Sequence, residues 1–163
     1  MKKLVVIRHA KSNWESELIQ DFDRSLNPRG HRDAPMMGKR LKEALGQIDI
    51  FISSTAVRAF TTATYIAAEF NTPKEAIQPF TSLYHAPAAD FYPIIAGIDN
   101  QYHSAAIVAH NPGITYFVNE LTNMVVDNMP TCGAFCVEVE TNDWAEFSTA
   151  PKRFLFFDYP KAG

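Results

Sequence analysis

A compact apolar run, Leu4-Val5-Val6-Ile7, is cut off by Arg8 and His9. Unbroken β-branched runs of this length mark strands buried on both faces, which predicts a first strand over 3–8. The pattern returns at Asp49-Ile50-Phe51-Ile52-Ser53 and at Ala105-Ala106-Ile107-Val108-Ala109, giving strands over 49–53 and 104–109. Between the runs the period lengthens. Asn27-Pro28 supplies a cap and a proline at the first helical position. Met37, Leu41 and Leu45 recur every four residues and Gly46 stops the run, which predicts a helix over 28–45, kinked at Pro35. An alanine-rich amphipathic stretch predicts a helix over 56–70. A short strand over 78–83, a helix over 88–98 and a helix over 112–124 capped by Asn111 complete the alternation. The tail reads as strands without intervening helices, over 134–139, 144–147 and 153–157. Residues 10–26 form a long polar loop, and loops of that length without structure are uncommon unless functional.

Strands alternating with helices imply an α/β fold: three layers, α/β/α, with a mainly parallel central sheet and an antiparallel edge. The length and the lack of repeats or linkers predict a single domain over 1–163. Ligands of such sheets bind beyond the carboxyl ends of the strands. Arg8, His9, Arg58 and His110 all fall at that end. Neutral imidazole is a nucleophile near physiological pH, and arginine presents a permanent charge and forked donors that match phosphate. Phosphoryl transfer needs mostly positioning and charge stabilisation. Two arginines and a second histidine around a phosphate attacked by one imidazole fit that need, with backbone N–H groups from a helix starting at Pro112 aimed at the same place. His31, on the first helix, reads as a surface residue, and His103 opens its strand at the wrong end for catalysis.

The net charge of −3, with 15 basic and 18 acidic residues, offers no basic face, so nucleic acid is not an expected partner. The sequence lacks H-x-H, H-x-x-H and H-E-x-x-H spacings, so no metal is expected. It also lacks phosphate-cradling glycine fingerprints, so no nucleotide cofactor is expected. No apolar stretch approaches a membrane span, and the run after Met1-Lys2-Lys3 stops short of the roughly 7–15 residues of a signal-peptide core. Cys132 and Cys136, read as one strand, are about 13 Å apart at roughly 3.3 Å per residue, too far for a disulfide. Reduced thiols and a cytoplasmic location follow as expectations.

Arg8-His9-Ala10-Lys11-Ser12 resembles the Arg-His-Gly signature of the histidine phosphatase superfamily, the group that contains cofactor-dependent phosphoglycerate mutases and acid phosphatases. The segment 53–63 around Arg58 is similar to that family's second-arginine segment, and Val108-Ala109-His110-Asn111-Pro112-Gly113 to its second-histidine segment. With Asp21-Phe22-Asp23-Arg24 and Asn27-Pro28-Arg29-Gly30, the short chain most resembles the phosphohistidine phosphatase, SixA-type, branch. The resemblance implies a phosphoglycerate mutase-like fold. It implies His9 as a nucleophile forming a phosphohistidine intermediate, Arg8 and Arg58 as phosphoryl ligands, and His110 as the fourth member of the pocket. Ser12, Arg24 and Asn111 are further candidate substrate-binding residues.

Two positions depart from the family pattern. Ala10 replaces the glycine after the catalytic histidine, which is tolerable if φ stays negative there. His85 stands where many members carry a glutamate acid, as a proton donor or as lining of the pocket. Asp21 and Asp23 are other candidate donors, or else loop carboxylates pairing with Arg24 or Arg29. The short stretch between Arg58 and His110 leaves little for a lid, which suits a phosphate presented on a protein surface. A phosphoramidate leaving group needs little help from an acid, since imidazole nitrogen is protonated near neutral pH. The implied activity is metal-independent dephosphorylation of phosphohistidine on a signalling protein. The alternatives are a small phosphorylated metabolite as substrate, or a non-catalytic phosphate- or phosphopeptide-binding module.

Overall fold

The computed structural model describes residues 1–14 and 18–162. Its elements run β1 (Lys2–Arg8), α1 (Pro28–Leu45), β2 (Ile50–Ser54), α2 (Val57–Glu69), β3 (Gln78–Phe80), α3 (Phe91–Ala96), β4 (Ser104–Ala109), α4 (Gly113–Asn119), β5 (Ala134–Val139) and β6 (Lys152–Asp158). The sheet order is β3-β2-β4-β1-β5-β6. The first four strands in that order are parallel to their neighbours, and β5 and β6 add an antiparallel edge.

Alternation along each strand builds the layers, because successive side chains leave a strand on opposite faces. Val5, Ile7, Ala106, Val108 and Cys136 pack with Met37, Leu41, Ala63 and Ile66 of α1 and α2. Leu4, Val6, Ile107, Phe135 and Val137 pack instead with Phe91, Ile95 and Phe117 of α3 and α4. The α1 cap forms as the sequence predicts, with Asn27 Oδ1 accepting the Gly30 N–H at 2.8 Å. Gly30 is needed at that point: a Cβ there would lie 2.2 Å from the Lys11 carbonyl oxygen, so α1 could not reach the segment after β1.

Helix α1 covers the expected 28–45 with Pro35 inside it. Several other elements differ. The strand over 78–83 shrinks to three residues and continues as a 3-10 turn, Thr81–Leu83. Helix α3 spans six residues, entered by the 3-10 turn Ala88–Asp90. Helix α4 starts at Gly113 and stops at Asn119, whose side chain bonds both the N–H and the carbonyl of Val126 at 2.8 Å and turns the chain back. Its cap is Pro112, not Asn111. The Asn111 amide instead donates to Asn128 Oδ1 and the Met129 carbonyl, and its Oδ1 accepts the Thr115 hydroxyl. The 144–147 strand is a 3-10 turn, Trp144–Glu146, because the Asp143 carboxylate caps the Ala145 N–H at 2.9 Å and Trp144 is buried. Cys132 lies in a turn before β5 with φ 61°, so the two cysteines do not share a strand, and both thiols are free and buried. The expected 10–26 loop contains the 3-10 turn Asp21–Asp23 and a bridge between Ser12 and Leu26, while its positions 15–17 lie outside the described residues.

Candidate active site

The parallel pairing of β1 with β4 sets Arg8 opposite Ala109, so the residues that follow them emerge side by side at the carboxyl end of the sheet. The His9 N–H donates to the Ala109 carbonyl at 3.2 Å. The imidazoles of His9 and His110 face each other with ring centroids 5.1 Å apart. His9 Nδ1 lies 2.8 Å from the Ala10 carbonyl oxygen. A carbonyl only accepts, so Nδ1 carries the proton and Nε2 keeps its lone pair. Ala10 is buried and is absent from the positive-φ residues, so its backbone needs no glycine. Its N–H donates to Thr62 Oγ1 at 2.9 Å, and Thr62 in turn donates to the Arg58 carbonyl, which ties the segment after β1 to α2.

Arg58 stands in the first turn of α2, 3% exposed, and Arg8 donates through Nη1 to the Met129 carbonyl at 2.9 Å. His110 Nε2 is 2.8 Å from the Ser54 hydroxyl at the end of β2. Among the described residues, Arg8 Nε, Arg58 Nε and His110 Nδ1 are buried side-chain atoms without a hydrogen-bond partner. Buried polar groups left unpaired are costly. A tetrahedral oxyanion between these groups would give them acceptors, and the donor set fits phosphate chemistry.

Burial drives the His9 pKa down to about 3, opposed by the bond to the Ala10 carbonyl and reinforced by the charges of Arg58, Arg8 and Arg24. Burial, then the proximity of His9 and Arg58, lowers His110 to about 2. Both imidazoles are therefore neutral at physiological pH, and His9 Nε2 is available as a nucleophile.

The other sequence-derived candidates distribute unevenly. Arg24 is buried, donates through Nη1 to Ser12 Oγ at 2.7 Å and through Nε to Asp21 Oδ1 at 3.0 Å, and stacks 3.4 Å over the Trp14 ring. Ser12 therefore faces Arg24. Asn111 commits its amide to the 128–129 segment. Asp21 pairs with Arg24 and Arg58, Arg29 pairs with Asp33, and Asp23 is exposed. Burial works to raise the Asp21 pKa, but bonds from Tyr84, Arg58 and Arg24 hold it well below the usual carboxylate range, so it is ionised and has no proton to give. His85 sits at the rim with φ 55°, its side chain 60% exposed, its ring 4.0 Å from that of Tyr84 and its Nε2 3.4 Å from Asp21 Oδ2. Gly113 lets α4 approach this rim, since a Cβ there would lie 1.8 Å from the Ala86 carbonyl oxygen. The free helix N–H groups expected after Pro112 are reduced, because the Ile114 and Thr115 amides already donate to His110 and Pro112 carbonyls.

Sequence reasoning missed Ser54, Thr62 and Tyr84. Ser54 carried a usable signal, being the last residue of a buried strand at the ligand-binding end. Thr62 and Tyr84 carried none beyond lying next to the motif residues. Among the described residues no group of three or more His, Cys, Asp or Glu is placed to hold a metal ion. Among them, too, no helix is long and apolar enough to cross a membrane.

Residues 4–81 match the sequence model of the histidine phosphatase superfamily (branch 1). An uncharacterised protein of Mycobacterium leprae is 28% identical over 167 residues, covering 95% of this chain and 100% of the relative. A crystal structure assigned as the phosphohistidine phosphatase SixA of Agrobacterium tumefaciens superposes with a TM-score of 0.82 at 23% identity, covering 98% of each chain. The protein histidine phosphatase SixA complexed with tungstate gives a TM-score of 0.81 at 18% identity, over 98% of this chain and 97% of that one. The six-stranded mixed sheet with its helical layers is the phosphoglycerate mutase-like fold of these neighbours.

Proposed function

We propose, from the family-model match over residues 4–81 and the fold shared with the SixA structures, that this chain is a histidine phosphatase superfamily protein and a phosphatase working through a covalent phosphohistidine at His9. The observation that carries this reading is the His9 ring. Its Nδ1–H is tied to the Ala10 carbonyl at 2.8 Å, which leaves the Nε2 lone pair facing a pocket of arginines and a second imidazole.

In the first step Nε2 attacks phosphorus, and the bond from phosphorus to the leaving atom breaks, the leaving group taking the electron pair and a proton. Arg8, Arg58 and His110 stabilise the charge on the equatorial oxygens. Water then attacks the phosphohistidine, the P–Nε2 bond breaks, and inorganic phosphate leaves as Nε2 recovers its lone pair. Asp21 is ionised and cannot donate the first proton. Exposure at the rim beside Asp21 supports reading His85 as the donor to an oxygen leaving group.

The preferred substrate is phosphohistidine on a protein. The leaving imidazole nitrogen takes up a proton near neutral pH without a strong acid, and Asp21, the carboxylate in contact with Arg58, is ionised. Trp14, stacked on Arg24, is 74% exposed and Tyr116 of α4 is 65% exposed, apolar surface that a protein partner would cover. A cytoplasmic setting fits two free buried thiols.

The test is incubation of the intact protein with a labelled phosphoramidate and with a phosphohistidine-bearing protein. Expected is an acid-labile label on the parent that is lost in His9→Ala, together with loss of phosphate release. Release of phosphate by His9→Ala at the parent rate would overturn the mechanism. Faster turnover of sugar phosphates than of phosphohistidine protein would overturn the substrate assignment.

A further inference from the structure

We propose that Asp21 is an internal anionic ligand of the phosphoryl site, competing with phosphate for Arg58 and thereby setting how tightly phosphate is held. The inference rests on reading the His9 pocket as a phosphoryl site.

Four side-chain hydrogen bonds converge on this one residue. Arg58 Nη1 donates to the Asp21 backbone carbonyl at 2.6 Å and Arg58 Nη2 to Oδ2 at 3.0 Å. Arg24 Nε donates to Oδ1 at 3.0 Å, and the Tyr84 hydroxyl donates to Oδ2 at 2.5 Å. His85 Nε2 approaches the same oxygen at 3.4 Å. A planar carboxylate held between two guanidinium groups, a phenol and an imidazole has the ligand set that a phosphoryl group takes in a cationic pocket.

The contest follows from how Arg58 is spent. Among the described residues, every hydrogen bond that its guanidinium makes goes to Asp21, and only the buried Nε lacks a partner. The Asp21 backbone carbonyl takes one N–H of Nη1 and its carboxylate one N–H of Nη2, so a dianion seated on the remaining donors lies against the carboxylate and repels it, and the carboxylate, 36% exposed, has solvent to move into. Charge points the same way. Arg8, Arg24 and Arg58 are permanent cations, His9 and His110 are neutral, and Asp21 is the ionised carboxylate in contact with two of the three arginines. When the phosphohistidine at His9 is hydrolysed, the carboxylate can reclaim Arg58 and help expel inorganic phosphate. A substrate attached to a protein brings further contacts and tolerates the competition better than free phosphate does.

The test measures equilibrium binding of inorganic phosphate and orthovanadate to the intact protein by calorimetry. Asp21→Asn, which keeps an acceptor oxygen but removes the charge, is expected to bind phosphate at least fivefold more tightly, and phosphate is expected to inhibit turnover more strongly by the same factor. Asp21→Glu restores the weaker binding. The gain shrinks as salt is raised, since it comes from a charge. Tyr84→Phe removes one donor that steadies the carboxylate and is expected to tighten phosphate in the same direction, which serves if Asp21→Asn does not fold. Unchanged or weaker phosphate binding in these variants overturns the proposal, because a carboxylate that merely holds the arginines in place would weaken binding on removal. The two readings separate cleanly. Tighter phosphate binding without any labelled His9 would sink the catalytic reading alone, whereas labelled His9 without tighter binding would sink this one alone.

Discussion

His9 and His110 are neutral in the fold because burial and nearby cations disfavour the imidazolium, and this gives the protein a specific acid sensitivity. In the unfolded chain each imidazole titrates near 6.5. In the fold they titrate near 3 and near 2. Below pH 6.5 the unfolded state therefore binds protons that the fold refuses, and stability falls as pH drops from 6.5 toward 3. The slope is at most about 1.4 kcal/mol per pH unit for each histidine. Denaturant midpoints measured between pH 7 and pH 4 are expected to fall more gently in His9→Asn than in the parent, and equal slopes would mean that His9 is protonated in the fold. The positions of Arg8, His9 and His110 are legible in the sequence because each lies at the end of a short apolar run, and Arg58 because it opens the helix that follows the next strand. The partners of Asp21 are not. Its pairing with Arg58 joins a loop to a helix across 37 residues, and no local pattern encodes that distance.

Helices α3 and α4 are both shorter than their apolar patterns suggest, and the reason lies in side chains that act across the fold. Asn119 ends α4 by capturing Val126, and Asp143 caps a 3-10 turn where hydrophobic alternation predicts a strand. The long elements are legible because propensity, capping and amphipathic period agree, as in α1 with Asn27, Pro28 and Gly46. The short ones are settled by tertiary contacts. Gly113 shows what such a contact demands. A methyl group there meets the Ala86 carbonyl, so α4 or the 85–87 segment must shift. Gly113→Ala is expected to cost about 1–3 kcal/mol through overpacking and to lower turnover by moving His85 away from Asp21. Thermal melts and steady-state kinetics on the purified variant check this, and a variant as stable and active as the parent would show that the contact yields freely.

Across the whole molecule the candidate site residues gather at one end of the sheet, and the opposite end holds a structural device. Lys2 is 1% exposed there, and its ammonium donates to the Asn100 and Tyr102 carbonyls at 2.8 Å each. It also lies 5.6 Å from the Trp144 ring centroid, so it clasps the start of β1 to two later segments. Lys2→Met keeps the stem but leaves both carbonyls without this donor, and the expected loss is about 1–3 kcal/mol of stability. Turnover per folded molecule should not change; chemical denaturation together with active-site titration checks both halves of that expectation. The sheet order carries a consequence for how the chain is made. Strand β1, which ends one residue before His9, pairs with β4, whose residues are synthesised about a hundred residues later, and with β5, which follows later still. At ribosomal speeds of roughly 5–20 residues per second, Leu4 to Ile7 wait on the order of 5–20 seconds for their neighbours. Throughout that interval a nascent chain carries an unpaired apolar strand, and His9 has neither His110 nor the β4 carbonyl beside it. The pairing of His9 with His110 can therefore form only after β4 has left the ribosome.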